Sequence, residues 1–165
     1  MLRCARTQVP SAIEPKESMA KEHPFWAAVR GDAELPPCAH TLGWKVLEAQ
    51  PGSGSVTVQF EAKREFANPL GNIQGGFLAA MLDDTLGPAI ATVLEADEFA
   101  PTLEIKVSFL RPGRVGTLIG RGHVVYRGRS VVFAEGELSD ANGDLLARAS
   151  ATARIVKVDW ANTNA

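Results

Sequence analysis

The stretch of this chain richest in chemistry runs N-P-L-G-N-I-Q-G-G-F-L-A-A-M-L-D-D, from Asn68 to Asp84. Asp83 stands in an apolar run, and at helical spacing its neighbours are Ala79, Ala80, Leu86, Gly87 and Ile90. Removing a carboxylate from water without a partner is strongly unfavourable. An acid placed there is either a reactive group with a shifted pKa or a structural carboxylate tied to a nearby loop. Asp84 has the same surroundings and could instead serve an interface or the structure. Gly75-Gly76 opens the same segment. The first amides of a helix lack internal partners and carry the positive end of its dipole, and glycine lets another group approach the backbone. A carbonyl oxygen set against such amides would be polarised as in an oxyanion hole. Alone, the glycine pair describes only a tight turn. Combined with an acid two turns on and the polar loop Asn68-Pro69-Leu70-Gly71-Asn72, it describes a site for acyl transfer.

The elements that must position these groups follow from periodicity. From Gly75 to about Leu94 the chain reads as a helix that is apolar nearly all round, with Phe77, Leu78, Met81, Leu82, Leu86, Ile90 and Val93, and such a helix is buried. Pro88 is expected to kink or loosen it. Before it, Glu17 to Arg30 has helical character, with Pro24 a possible true start and Gly31 a stop; Pro36-Pro37 is a breaker. Thr41 to Ala49 and Val56 to Ala62 alternate apolar and polar residues around the turn Pro51-Gly52-Ser53-Gly54, the pattern of a hairpin of half-buried strands. After the helix, Leu103 to Phe109, Thr117 to Tyr126, Ser130 to Leu138 and Leu145 to Val156 read as further strands, with Asp140-Ala141-Asn142-Gly143 a strong hairpin turn. Leu145, Ala147, Ala149, Ala151, Ala153 and Ile155 form one strand face, made small chiefly by its alanines, against which the helix could pack closely.

This order describes an α+β architecture, one antiparallel sheet around one apolar helix. A single sheet cannot cover such a helix on every side, and a second copy of the chain is the simplest cover. The expected division is a tail and short helix over residues 1–40, one domain over 41–157 and a tail over 158–165.

Asn68, Pro69, Gly71, Gln74-Gly75-Gly76 and Asp83, followed by Ser108-Phe109-Leu110-Arg111-Pro112 and Gly128-Arg129-Ser130, resemble the hotdog-fold acyl-CoA thioesterases of the phenylacetate-degradation type. The resemblance spans roughly Thr41 to Val156. It implies a curved antiparallel sheet wrapped around a long central helix, and homodimers, often paired as dimers of dimers, with sites at subunit boundaries. It implies hydrolysis of an acyl-CoA thioester, aryl or medium-chain, with no metal or redox cofactor. Carried over by position, Asp83 is the nucleophile or general base, the Gly75 amide polarises the thioester carbonyl, Asn68 helps hold the acid or the water from the opposite subunit, and Thr102 assists the water. Gly76, Arg111, Arg129 and Ser130 fall to substrate binding. One departure stands out. Many members carry histidine before the glycine pair and this chain has Gln74, which exchanges hydrogen bonds but does not titrate near neutrality; a positioning role survives there.

Composition bounds the alternatives. The 165 residues suit one domain, and 45% hydrophobic residues suit a real core. A formal charge of −2 with no basic block argues against nucleic acid. Local basic residues, Arg121, Arg127 and Arg129 with Arg111 and Arg114, could serve a small anion or simply be solvated strand edges. No apolar run reaches membrane-spanning length, the first fifteen residues lack the apolar core of a secretory signal, and two cysteines, Cys4 and Cys38, fit a reducing, cytoplasmic setting. His23, His40 and His123 have no metal-like spacing. Trp26 and Trp44 read as packing residues. Two other functions stay open at this level: a hotdog module that binds an acyl-CoA or another apolar ligand without turnover, motivated by Gln74, and a dehydratase, for which the motif region lacks a histidine.

Overall fold

The computed structural model describes residues 22–162. The expected helical residues before Glu22, and Cys4, lie outside them. Helix α1 (Pro24–Arg30) starts at its proline and is capped by His23, whose Nδ1 accepts from the Phe25 amide at 3.2 Å; Gly31 ends it at φ 80°. A second short helix, α2 (Pro37–Leu42), stands where the prolines suggested only a break. Pro37 occupies the first helical turn, where a missing N–H is harmless. The strand expected from Thr41 accordingly begins later, as β1 (Lys45–Ala49).

The remaining elements are β2 (Ser55–Ala62), a 3-10 turn at Arg64–Phe66, α3 (Gly75–Ala91), β3 (Glu98–Phe99), β4 (Thr102–Phe109), β5 (Gly116–Arg127), β6 (Val131–Asp140), β7 (Leu145–Arg154), β8 (Val156–Lys157) and a final turn at Trp160–Asn162. Six strands form one antiparallel sheet in the order β1-β2-β5-β6-β7-β4, and β3 pairs with β8. The architecture is α+β, as the pattern of elements indicated. Strand β4 is an edge, and its apolar side chains Leu103 and Phe109 are 62% and 54% exposed.

Helix α3 lies against the sheet through Leu78, Met81, Leu82, Thr85, Leu86, Ala89 and Ile90, all buried. The alanines of β7 (Ala147, Ala149, Ala151, Ala153) are buried as expected. The tightest seat, however, lies on β5, two strands away in the sheet. A Cβ at Gly120 of β5 would fall 2.2 Å from Thr85 Oγ1, and one at Gly122 2.9 Å from the Thr85 carbonyl oxygen. The outward face of α3 also differs from the expectation of large apolar residues all round. It presents Gly76, Ala80 and Asp83, all exposed. Pro88 does not end the helix, which runs on to Ala91.

Candidate active site

Asp83 projects from α3 toward the first residue of β4. Thr102 Oγ1 donates to Asp83 Oδ1 at 2.9 Å. Asp83 is exposed in the single protomer, where no other described residue buries it. The buried acid is its neighbour. Asp84 is half-buried, and its Oδ2 is shut off from solvent with no hydrogen-bond partner among the described residues. Burial, and secondarily the charge of Asp83, push the Asp84 pKa up to about 6.

Two turns before Asp83, Gly75 is the first helical residue, and its amide meets no acceptor among the described residues. The Phe109 ring closes over this position: a Cβ on Gly75 would lie 3.3 Å from Phe109 Cζ. Gly76 does not offer a second open amide. Its N–H donates to Gln74 Oε1 at 2.7 Å, so Gln74 caps α3 and the Gly76 amide is already engaged. A backbone N–H can be answered only by the oxygen of the carboxamide, so the Gln74 Nε2 donors face away from the cap.

Asn68 organises the preceding loop. Its Oδ1 accepts from the amides of Leu70 at 2.9 Å and Asn72 at 3.2 Å, leaving Nδ2 for other partners. Asn68, Gly75, Phe109 and Arg111 share a surface cavity of about 350 Å³ with Asn72, whose Oδ1 is buried and unpartnered among the described residues. Arg111 is anchored there by donating to the Leu145 carbonyl at 2.8 Å.

Arg129 and Ser130 sit elsewhere, in the β5–β6 turn. Val132, Ala153 and Thr102 lie side by side across β6, β7 and β4, so that turn belongs to the Thr102 end of the molecule. The basic residues do not converge on one anion site. Arg127 is taken up by the Glu98 carboxylate at 2.7 Å and the Val93 carbonyl, while Arg121 lies on the sheet face away from α3.

The site residues therefore form two groups. Asp83 and Thr102 stand at one end, with Arg129 and Ser130 toward the same side; Gly75, Gln74, Asn68 and Arg111 stand at the other. Eight residues separate Gly75 from Asp83, about 12 Å along a helix axis at 1.5 Å per residue. Phe109, Asn72 and Trp44, which meet this arrangement directly, were not named as site residues from the sequence. Phe109 and Asn72 entered only as parts of longer motifs, and Trp44 read as a packing residue.

Comparison with known proteins agrees with this architecture. The family model of the thioesterase superfamily matches residues 70–147, which span α3, strands β3 to β6 and the start of β7. A Saccharolobus solfataricus protein assigned as an esterase is 34% identical over 108 residues, covering 66% of this chain and 75% of that one. Human acyl-coenzyme A thioesterase 13 is 23% identical over 108 residues, covering 63% and 75% of the two chains. A phenylacetic acid degradation-related protein from Ralstonia eutropha JMP134, solved as a thioesterase, superposes with a TM-score of 0.76 at 40% identity, over 79% of this chain and 98% of that one. The chain is thus matched in sequence and its fold in three dimensions: the chain belongs to the thioesterase superfamily and is a thioester hydrolase of the hotdog fold.

Proposed function

We propose that this enzyme hydrolyses an acyl-CoA thioester, aryl or medium-chain, at a site completed by a second copy of the chain. The observation that carries this reading is the separation of Asp83 from the Gly75 amide. A thioester carbonyl needs an oxyanion donor about 3 Å from its oxygen and a base within reach of water at its carbon. Groups about 12 Å apart on one helix do not meet that need together. A second copy running antiparallel beside edge strand β4 reverses the order. It sets the Asp83–Thr102 pair of one protomer against the Gly75–Phe109 end of the other, and it covers the exposed Leu103 and Phe109 of both. Closed two-fold pairing of this kind leaves two identical sites.

In each site Asp83 accepts a proton from water, and the water oxygen attacks the carbonyl carbon. The tetrahedral oxyanion is held by the Gly75 amide of the second copy, with the free donors of its Gln74 beside it. The C–S bond then breaks and the CoA thiolate leaves, to be protonated to the thiol. Thr102 holds Asp83 through Oδ1 and leaves Oδ2 toward the water. Asn68 Nδ2 of the second copy is a further donor for water or acid. Attack by Asp83 itself, through a mixed anhydride that water then opens, uses the same placement; an anhydride opened at the Asp83 carbonyl leaves label in Asp83 after a single turnover in ¹⁸O water, and direct attack by water does not. Arg129 and Ser130 lie at the Asp83 end for the CoA phosphates, and Arg111 lies beside Gly75. The mechanism calls on no cofactor beyond the CoA of the substrate.

The test is Asp83→Asn against a panel of acyl-CoA substrates with a free-thiol readout. The variant should assemble as the wild type does and lose about 100-fold or more in kcat, the scale of a lost general base. Undiminished thiol release would remove Asp83 from the reaction. Sizing of the wild type reads the assembly, and a monomer would remove the shared site.

A further inference from the structure

Pro88 lies inside α3. It has no N–H, so the carbonyl four residues earlier, that of Asp84, receives no helical hydrogen bond. That carbonyl is not left bare. Trp44 Nε1 donates to it at 3.0 Å, across 40 residues of sequence.

The indole comes from a rigid mount. Trp44 follows α2, and its own amide donates to the Ala39 carbonyl at 2.9 Å across Gly43, which is left-handed at φ 63°. Gly43 also lies against β2, where a Cβ would fall 2.7 Å from Glu61 Cβ, so neither its backbone shape nor its position tolerates a side chain. Trp44 is itself packed against the hydrophobic core. A fixed donor thus replaces the one helical bond that the sequence omits, in the turn that begins directly after Asp83. This accounts for a helix that passes through a proline and continues to Ala91.

We infer that Trp44 is a positioning residue for Asp83: it holds the turn from Asp84 to Pro88 in helical register, and with it the direction in which the Asp83 carboxylate leaves the helix. This rests on the reading of Asp83 as the reacting acid. A reactive group has to be held to within about 0.5 Å of its productive place by the residues behind it. A turn short of one hydrogen bond would not hold it so.

The experiment is a double-mutant cycle, since the missing donor can be supplied in another way. Trp44→Phe keeps an aromatic ring and loses the N–H. Pro88→Ala gives α3 its own amide for the Asp84 carbonyl. Measured well below the unfolding temperature, with assembly checked by sizing, Trp44→Phe should lose about fivefold in kcat, the scale of one hydrogen bond, with KM unchanged. Adding Pro88→Ala should restore it, so that the double variant equals Pro88→Ala alone. A purely structural tryptophan would lower the unfolding temperature and leave kcat in place, and that result overturns the inference. So does a loss of kcat that Pro88→Ala fails to restore, since the effect would then come from packing. Should Trp44→Phe not fold alone, the double variant is read against Pro88→Ala: equal turnover supports the inference and lower turnover overturns it. Asp83→Asn run in parallel separates the two claims. If it is inactive while Trp44→Phe has wild-type kcat, only the role of Trp44 falls; if it turns over normally, the reading of Asp83 falls with it.

Discussion

Gln74 Oε1 accepts the amide of Gly76 at 2.7 Å, and so the residue before the glycine pair caps the very helix whose first amide it leaves open. The same contact explains the second glycine. A Cβ on Gly76 would lie 2.7 Å from that oxygen and displace the carboxamide. The chain shows elsewhere that histidine can take both roles. His23 Nδ1 accepts from the amide two residues on, and its Nε2 donates to the Glu98 carbonyl at 3.0 Å. A planar group with one acceptor and one donor is the common requirement, and it calls for no titration.

Capping and substrate contact at Gln74 can be separated. Gln74→Ser keeps a short capping hydroxyl, so stability should hold within roughly 0.5 kcal/mol. It loses the carboxamide donors, and kcat should fall about 10- to 100-fold, at the lower end of what one oxyanion donor supplies. Gln74→Met should lose both turnover and about 1 kcal/mol of stability. Denaturant unfolding and steady-state kinetics on both variants check this. Wild-type turnover in Gln74→Ser would reduce the residue to a cap.

Thr102 is the only described side chain that hydrogen-bonds Asp83. Thr102→Val removes the hydroxyl at nearly constant volume and should lower kcat about tenfold with little change in stability, because the pair is exposed. Thr102→Ser should recover most of the rate. The kcat values of the two variants against wild type decide it.

Asp84 should make stability fall as pH rises. Its folded pKa, about 6, lies above the ordinary 3.8, so its contribution is fully present below about pH 4 and is lost as pH rises through 6. The loss amounts to roughly 3 kcal/mol at most. Asp84→Asn, a neutral isostere, should therefore match wild type near pH 4 and exceed it near pH 8. Unfolding midpoints at the two pH values test the sign. A wild type that gains stability over Asp84→Asn with rising pH would show the carboxylate to be stabilised rather than stranded.

Gly120 is the tightest point between sheet and helix. Gly120→Ala puts a methyl group 2.2 Å from Thr85 Oγ1 and 3.0 Å from Val58 Cγ2. Thr85 is itself held by its bond to the Met81 carbonyl at 2.7 Å, so the clash has no easy exit. A destabilisation of about 3 kcal/mol or more is expected, at or beyond the upper end for overpacking. Calorimetry on the purified variant measures it.

Much of this was legible in the sequence where the cause is local. The alternation of Val56, Val58, Phe60 and Ala62 fixes which face of β2 is buried, and each is buried. Asp140 to Gly143 form the expected turn, with Gly143 at φ 90°. The helix starts at Gly75 as its glycine pair suggested. The rest depends on groups distant in sequence. The donor that answers the carbonyl left open by Pro88 comes from Trp44, 40 residues away from Asp84. Asp84 is the more sheltered of the two acids and Asp83 the exposed one, since one step of about 100° around the helix decides which of the two faces solvent. Gln74 as a cap was hidden by the usual preference for short side chains at that position. The separation of Asp83 from the Gly75 amide was countable along the helix, but it gained meaning only once Thr102 and Phe109 were seen at opposite ends of β4.

That separation is tested most directly by mixing two inactive variants. Asp83→Asn removes the acid. Gly75→Pro removes the amide donor at a helix position where proline is well tolerated. Each alone should be nearly inactive. Unfolded together and refolded as an equal mixture, they should regain about a quarter of wild-type activity, because half of the dimers are mixed and each mixed dimer has one intact site of two. A mixture that refolds and assembles yet stays as inactive as its components would contradict a site shared between two copies.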